Sequence, residues 1–293
     1  MEKYDYILIT PARNEEKFIE KTIQSVIKQT ILPQKWIVVS DGSTDGTDEI
    51  VHEYQLRYSF IELLRRQSFE ERNFASKVYA FKDGLRRLTE VEYDFIGNLD
   101  ADVIFSPFYY EKVLEKFIIN PKLGISGGEV FDFYDNKEHK RYSSYSSVAG
   151  AVQLFRRNCY EEVGGYVPIA YGNIDSIAEI TARMKGWETR SFPELKVFHY
   201  RRTGTEGRSI LKGRFREGRI EYMLGYHPLF HVARVFQRLW EAPCIVGSLM
   251  RMCGYFFACL QRPKRKVSAE FVKFLRQEEF KKLIALVRGD MNK

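Results

Sequence analysis

The chain has 293 residues, of which 44% are hydrophobic and 15% aromatic, which is enough to bury a large core and excludes a disordered protein. Its formal net charge of +7 comes entirely from residues 251–293, which hold 11 basic and 4 acidic residues. A basic tail suits an anionic surface such as phospholipid headgroups, and a solvated helix face explains it equally well.

The N-terminal half alternates short apolar runs with helical patterns. This order is typical of βαβ units, so we predict an α/β fold with a doubly wound, mainly parallel sheet flanked by helices. The acidic residues Glu2 and Asp5 do not fit a secretory signal peptide, and we expect a cytoplasmic protein. The predicted strands are 6–10, 36–40, 60–64 and 94–99, and the predicted helices are 16–29, 47–58, 74–88 and 109–119.

The regular alternation of strand-like and helical segments ends near residue 124. The composition changes again after Arg201. Beyond Arg201 the sequence turns to Gly, Arg and aromatic residues and then to long apolar stretches. We therefore predict one domain over 1–205 and a helical C-terminal region over 206–293. Between residues 124 and 200 the pattern predicts strands at 124–133, 150–155 and 196–200, a polar loop at 135–147 and a helix at 174–185.

The stretch Ala242–Gln261 resembles a membrane segment, but Pro243 and Arg251 interrupt it. Neither uncharged piece reaches the roughly 18 to 20 residues that a spanning helix needs. An interfacial helix pair and a buried core helix remain as interpretations. The four cysteines form no CxxC pair, so we expect reduced and mostly buried thiols.

Polar clusters follow three of the predicted strands. The segments are Thr10–Glu16, Asp41–Asp45 and Asp100–Asp102. Because the carboxyl ends of parallel strands share one edge of a sheet, the clusters should meet at a ligand-binding crevice. Carboxylates such as Asp100 and Asp102 suit Mg²⁺ or Mn²⁺ on a diphosphate, and Asp41 can accept a hydrogen bond from a base imide. Ordinary turn chemistry is the alternative for each cluster alone.

These clusters, in this order and spacing, resemble the family-2 glycosyltransferases of the GT-A fold. Further matches are Lys77, Ala80 and Gly84 before the DxD triplet, and Gly164-Gly165-Tyr166 ahead of an acidic position. The resemblance covers about two thirds of the chain. The QxxRW motif of processive members is absent, so the resemblance is to the non-processive bacterial or archaeal type.

The resemblance implies a metal-dependent transferase that moves a sugar from a nucleotide diphosphate sugar, usually a UDP-sugar, to a hydroxyl acceptor with inversion. The donor would contact Pro11, Arg13, Glu15, Asp41, Lys77 and Asp100. Asp102 would hold Mn²⁺ or Mg²⁺.

The resemblance also implies a catalytic base after the Gly-Gly-aromatic motif. Asp175 is the candidate, although Ile174 stands where the family usually has Glu, and Glu179 is the fallback. His199, at the end of the last predicted strand, is either a structural residue or a third metal or diphosphate contact, and we favour the metal role. The basic segment Arg201–Arg208 would suit a loop closing over a diphosphate.

Other functions fit the sequence less well. A nucleotidyltransferase would need a Gly-rich, basic loop after the first strand, which is missing. An inactive nucleotide-sugar-binding scaffold stays open because of Ile174 and Lys82. We expect no nucleic-acid partner, because the aromatic residues of the tail fall at helical spacing. We expect the acceptor to be a saccharide or a lipid-linked saccharide. We also expect peripheral attachment to an anionic membrane and a role in cell-surface polysaccharide or glycolipid synthesis.

Overall fold

The computed structural model describes residues 4–67, 74–134, 137–140, 144–200, 210–241 and 243–288. The chain divides into two compact units, residues 1–202 and 203–293. The predicted boundary near residue 205 and the segment Arg201–Arg208 lie outside the described residues.

The first unit is built on one mixed sheet. Its strands are β1 (Tyr6–Ala12), β2 (Lys35–Asp41), β3 (Ile61–Arg66), β4 (Phe95–Asn98), β5 (Val103–Phe105), β6 (Leu123–Tyr134), β7 (Lys137–Lys140), β8 (Leu154–Arg156) and β9 (Glu188–His199). Their order is β3-β2-β1-β4-β8-β6-β9-β5, and β7 pairs with β6. The first four strands in this order are parallel, as predicted, and antiparallel pairs enter with β8, β7 and β5.

Helices cover both faces of this sheet. Alternate residues of β1 point to opposite sides, as the two-residue period of a strand requires. Tyr6 and Leu8 belong to the core that also holds Ile19 and Ile23, whereas Ile7 belongs to the opposite core. The helices are α1 (Ile19–Ile27), α2 (Thr47–Arg57), α3 (Phe74–Arg86), α4 (Tyr109–Ile119), α5 (Arg157–Val163) and α6 (Ile174–Met184).

Several predicted elements differ from the observed ones. The strand predicted at 150–155 is the shorter β8, and the strand predicted at 196–200 is the end of the much longer β9. The predicted loop at 135–147 contains β7. Neither β5 nor α5 was predicted, because three and seven residues are too few for a periodic pattern.

The second unit is helical, with α7 (Ile210–Leu224), α8 (Pro228–Gln237), α9 (Val246–Gln261) and α10 (Ala269–Arg288). Within the described ranges, no helix is long and apolar enough to cross a membrane. All four cysteines are free, but only Cys159 is buried, so the prediction of mostly buried thiols was wrong. The exposed thiols belong to the segment around α9.

Candidate active site

The three predicted clusters lie side by side because β2, β1 and β4 are neighbours in the sheet. The loops after β1 and β2 are joined by side chains. The backbone N–H of Thr44 donates to Oδ1 of Asn14 at 2.8 Å, and the N–H of Gly46 donates to Oε2 of Glu16 at 2.9 Å. These bonds fix the loop that carries Pro11, Arg13 and Glu15 against the loop that begins at Asp41.

Glu15 and Asp41 are buried at this edge, with 7% and 5% of their surfaces exposed, and Pro11 and Arg13 are half-buried. The N–H of Glu15 donates to Oγ1 of Thr47 at 2.7 Å. Asp41 Oδ1 lies 3.2 Å from a guanidinium nitrogen of Arg66 but makes no hydrogen bond within the described part of the chain. A shielded carboxylate oxygen without a donor has acceptor capacity to offer a ligand N–H.

Lys77 on α3 reaches Asp100, with 2.5 Å between Nζ and Oδ1. Helix α3 can lie close to the sheet because Gly84 has no side chain; a Cβ there would come within 2.9 Å of Ile9 and Val39. Burial lowers the pKa of Lys77, but the charge of Asp100, the hydrogen bond that Lys77 donates to Asp100, and the charges of Asp175 and Asp102 outweigh burial and raise it. The three predicted carboxylates therefore lie within electrostatic range of one ammonium group.

The turn that carries Asp102 is anchored by Thr22 of α1. The Thr22 hydroxyl lies 2.8 Å from the carbonyl oxygen of Ala101 and 2.9 Å from that of Val103, and it accepts the N–H of Val103 at 3.2 Å. Thr22 is fully buried. One hydroxyl thus satisfies the backbone on both sides of Asp102.

His199 lies between two carboxylates. Its Nε2 is 3.2 Å from Oδ2 of Asp102, and its Nδ1 is 3.2 Å from Oδ1 of Asp132. Strand register explains the contact, since His199 on β9 is paired with Val103 on one side and with Asp132 on the other. Nδ1 directed at an outer carboxylate and Nε2 directed inward is a common arrangement around metal-binding histidines.

The chemistry of Asp102 and His199 fits a divalent cation. Two ligands about 2.1 Å from one octahedral ion and at right angles to each other are roughly 3 Å apart, close to the observed separation. Among the described residues, no group of three or more His, Cys, Asp or Glu side chains could hold an ion alone. The remaining positions would go to phosphate oxygens and water, which is the usual mode for Mg²⁺ beside a substrate diphosphate.

Asp175 lies in the first turn of α6, half-buried, next to Gly150. A Cβ at Gly150 would be 2.9 Å from Oδ2 of Asp175, so the glycine makes the space that the carboxylate occupies. The segment that carries Gly150 is held to β4, because Nδ2 of Asn98 donates to the Gly150 carbonyl and the N–H of Asp100 donates to Ala151 at 2.9 Å. Asp175 and Asp100 are thus attached to one backbone segment.

Glu179, the fallback base, is only 3% exposed. It accepts hydrogen bonds from the N–H of Val148 at 2.6 Å, from Gln153 at 3.0 Å and from Ser147 at 3.1 Å. Its carboxyl group holds the segment beside Asp175 in place. The structure therefore gives Glu179 a positioning contact and leaves Asp175 as the more accessible carboxylate.

Three site residues were missed from the sequence, namely Thr22, Arg66 and Asp132. Thr22 lies within an amphipathic helix and Arg66 at the end of a strand, where neither carries a motif. Asp132 lies between two aromatic residues, Phe131 and Phe133. This alternation predicts a strand with one polar face but gives no sign of a binding role.

Residues 7–177 match the family described as glycosyl transferase family 2. That range is more than half of the chain and contains every predicted site residue except His199 and the fallback base Glu179. The chain belongs to glycosyl transferase family 2. The fold expectation is confirmed as well, since the solved structures similar to this family member are GT-A glycosyltransferases.

Two curated relatives show how far the similarity extends. Poly-beta-1,6-N-acetyl-D-glucosamine synthase of Staphylococcus epidermidis is 28% identical over 147 residues, which are 48% of this chain and 29% of the synthase. The chain thus spans less than a third of that relative. Glycosyltransferase AglE of Haloferax volcanii is 26% identical over an alignment of 288 residues that covers 92% of this chain and 89% of AglE.

Two solved structures share the fold. The mannosyltransferase PcManGT of Pyrobaculum calidifontis, in complex with GDP-Man and Mn²⁺, has a TM-score of 0.55 and 18% identity, covering 96% of this chain and 80% of its own. GalNAc-T7 with UDP, GalNAc and Mn²⁺ has a TM-score of 0.59 and 14% identity, covering 97% of this chain and 58% of its own.

Proposed function

We propose that this protein transfers a sugar from a nucleotide diphosphate sugar, a UDP-sugar, to a hydroxyl group of a saccharide or lipid-linked acceptor, with inversion at the anomeric carbon. The observation that carries the proposal is that Asp100, paired with Lys77, and Asp102, paired with His199, both lie at the edge where β4 ends, with Asp175 beside Gly150 of the adjoining segment. Family membership and two similar structures that contain nucleotides and Mn²⁺ support it.

The donor nucleoside would lie over the ends of β1 and β2. The unmatched oxygen of Asp41 would accept the imide N–H of the base, beside Pro11, Arg13 and Glu15. Asp100 would accept a ribose hydroxyl, and Lys77 holds that carboxylate in place.

Asp102 and His199 would hold Mn²⁺ or Mg²⁺, and Asp132 would keep the His199 ring in position. The cation, when bound, offsets the negative charge that develops on the leaving diphosphate. Lys77, next to Asp100, adds a second positive charge to the same region.

The transfer would be one direct displacement. The acceptor oxygen forms a bond to the anomeric carbon, and the bond from that carbon to the diphosphate oxygen breaks, with its electron pair leaving on the diphosphate. Asp175 takes the proton of the attacking hydroxyl. Because a single displacement occurs from the face opposite the leaving group, the configuration inverts without a covalent glycosyl-enzyme.

The setting we propose is cell-surface polysaccharide or glycolipid synthesis at the cytoplasmic face of a membrane. The names of the staphylococcal synthase and of AglE support a role in assembling glycans. The match covers only 29% of the synthase. The name of its product therefore does not identify the product of this protein.

The first test separates donor binding from turnover. A panel of UDP- and GDP-sugars with Mn²⁺ is offered to the wild type, Asp175→Asn and the neighbouring control Ser176→Ala. We expect Asp175→Asn to bind donor normally and to lose at least about a hundredfold in turnover, the usual contribution of a general base. The product anomer, read by proton NMR, should be inverted.

Unchanged turnover in Asp175→Asn would remove the assigned base. A retained anomeric configuration would exclude the single displacement. Donor binding without turnover in the wild type would favour the alternative, an inactive nucleotide-sugar-binding scaffold subunit.

A further inference from the structure

Helix α9 has its charge on the inside and its apolar residues on the outside. Arg251, the single charged residue of α9, has a side chain only 7% exposed and lies 2.7 Å from Oε2 of Glu217 and 3.4 Å from Oε1 of Glu221. A helix on the surface of a water-soluble protein normally has the opposite polarity. The outward face of α9 therefore needs a separate explanation.

The outward face is a continuous apolar strip. Leu249, Phe256 and Leu260 recur at spacings of seven and four residues, which places them on one side of the helix, and they are 52%, 43% and 83% exposed. The same strip includes the exposed Val246, Cys253 and Phe257. Isolated exposed apolar residues are ordinary, but contiguous apolar strips mark binding surfaces.

The inward face of α9 is tightly fixed to α7, so the helix cannot simply rotate. A Cβ at Gly254 would lie 2.0 Å from the carbonyl oxygen of Phe215, and the Tyr255 hydroxyl donates to the carbonyl of Tyr226 at 2.6 Å. Arg251 is held by two carboxylates on the same side. The apolar strip is thus presented to solvent by the packing of the helix itself.

The charged residues that flank the strip in sequence, within residues 242–269, are all basic. Between residues 242 and 269 there is no acidic residue, and the segment directly after α9 carries Arg262, Lys264, Arg265 and Lys266. Arg262, Lys264 and Lys266 are exposed. An apolar strip continuous with exposed basic residues complements an anionic lipid surface.

The length of α9 fixes how it would meet a membrane. Its 16 residues span about 24 Å at 1.5 Å per residue, less than the roughly 30 Å of a hydrocarbon core. A helix too short to span the core, with one apolar face, would lie in the plane of the interface.

We propose that the outward face of α9 docks on an anionic bilayer, with Leu249, Phe256 and Leu260 entering the acyl boundary and the basic segment 262–266 contacting lipid phosphates. The outward face of α9 is the surface that would hold the protein in the membrane position of the proposed function. Its biological purpose rests on that function, but its binding to lipid does not. Lipid binding is measured without donor, so it can fail while glycosyl transfer stands.

The test is flotation of the full chain with phosphatidylcholine vesicles, with and without phosphatidylglycerol. We expect the wild type to float only with the anionic vesicles. The double variant Leu249→Glu, Phe256→Glu should lose at least about tenfold in partitioning, because two charges enter the apolar boundary. Its matched control, Leu56→Glu with Ile119→Glu, changes two exposed apolar residues of the first unit and should float like the wild type.

A second variant tests the charges. Replacing Arg262, Lys264 and Lys266 by Glu should abolish the preference for phosphatidylglycerol without changing the circular dichroism spectrum. Wild-type protein that remains in the soluble fraction, or an α9 variant that floats normally, would overturn the proposal. A dimer seen by light scattering that the α9 variant disrupts, without vesicle binding, would instead make a second copy of the chain the occupant.

Discussion

Glu179 is a carboxyl group enclosed by the protein. Desolvation and the nearby charge of Asp175 raise its pKa to about 8, although Val148, Arg183 and Ser147 act in the opposite direction. Between pH 4.5 and 8 the folded chain retains a proton here that the unfolded chain has released. Stability should therefore fall as the pH rises through this window, by at most about 1.4 kcal/mol per pH unit.

Glu179→Gln should flatten that dependence. The amide is a neutral isostere whose oxygen can accept from Val148 and Gln153 and whose nitrogen can donate to Ser147. Thermal unfolding between pH 5 and 8 measures this. The unfolding temperature of the variant, relative to that of the wild type, should increase as the pH rises. Glu90→Gln, at an exposed position, controls for the loss of one charge, and parallel profiles for wild type and Glu179→Gln would contradict the raised pKa.

The limits of sequence reasoning at this scale are clear from Asp102 and Asp132. Asp102 could be predicted because it belongs to a local triplet at a strand end. Asp132 is equally close to His199, but its contact depends on β6 pairing with β9, a register between segments some sixty residues apart. Such pairing follows from the whole sheet and has no local signal.

At the scale of elements, Thr22 links α1 to the turn of Asp102. Thr22→Val keeps the shape but removes the hydroxyl proton that the carbonyls of Ala101 and Val103 share and the oxygen that accepts the Val103 N–H, at a cost of about 1 to 3 kcal/mol in unfolding free energy. We expect weaker Mn²⁺-dependent nucleotide binding as the turn loosens. Thr22→Ser retains the hydroxyl and should retain both properties, so equal losses in the two variants would contradict this role.

The crossing of α7 and α9 depends on glycines at the contact. A Cβ at Gly218 would lie 1.9 Å from the carbonyl oxygen of Arg251, which is backbone and cannot move aside. Among the described residues, and apart from its own helix backbone, Gly213 has no neighbour within 4 Å of such a Cβ. Alanine at Gly218 therefore tests the packing of the two helices, whereas alanine at Gly213 tests helix propensity alone.

Gly218→Ala should destabilise the chain by about 1 to 3 kcal/mol, the usual range for overpacking. Gly213→Ala should instead stabilise it by about 0.5 to 1 kcal/mol, because alanine restricts the unfolded chain and favours helix. Urea unfolding of both variants gives the comparison. Equal and small effects would mean that the helices do not approach as closely as the structure shows.

Long periodic elements were predictable and short ones were not. Helix α4 occupies 109–119 as predicted, because its apolar residues face one core. Strand β5 has three residues directly after the DxD triplet, and α5 ends at Gly164 in a left-handed conformation with φ of 77°. The Gly164-Gly165 pair was a possible stop signal for α5.

At the scale of the whole molecule, the family match and the candidate site belong to the first unit, residues 1–202. The described part of the second unit contributes helices α7 to α10 and a buried ionic cluster. In that cluster burial favours a raised pKa for Glu221, but Arg234, Arg251 and His231 lower it to about 2. The composition of residues 206–293 predicted a helical region. It did not predict that the side chain of Arg251 points inward.

The central claim is that the first unit binds a nucleotide diphosphate through a divalent cation held by Asp102. Calorimetric titration of UDP and GDP into the full chain, with and without Mn²⁺, tests it most directly. We expect Mn²⁺ to strengthen binding of one nucleotide at least about tenfold in the wild type, equivalent to about 1.4 kcal/mol, and also in the control Glu90→Gln at an exposed position. Asp102→Asn should abolish this gain; equal affinity with and without Mn²⁺ in the wild type, or a full gain in Asp102→Asn, would contradict the account.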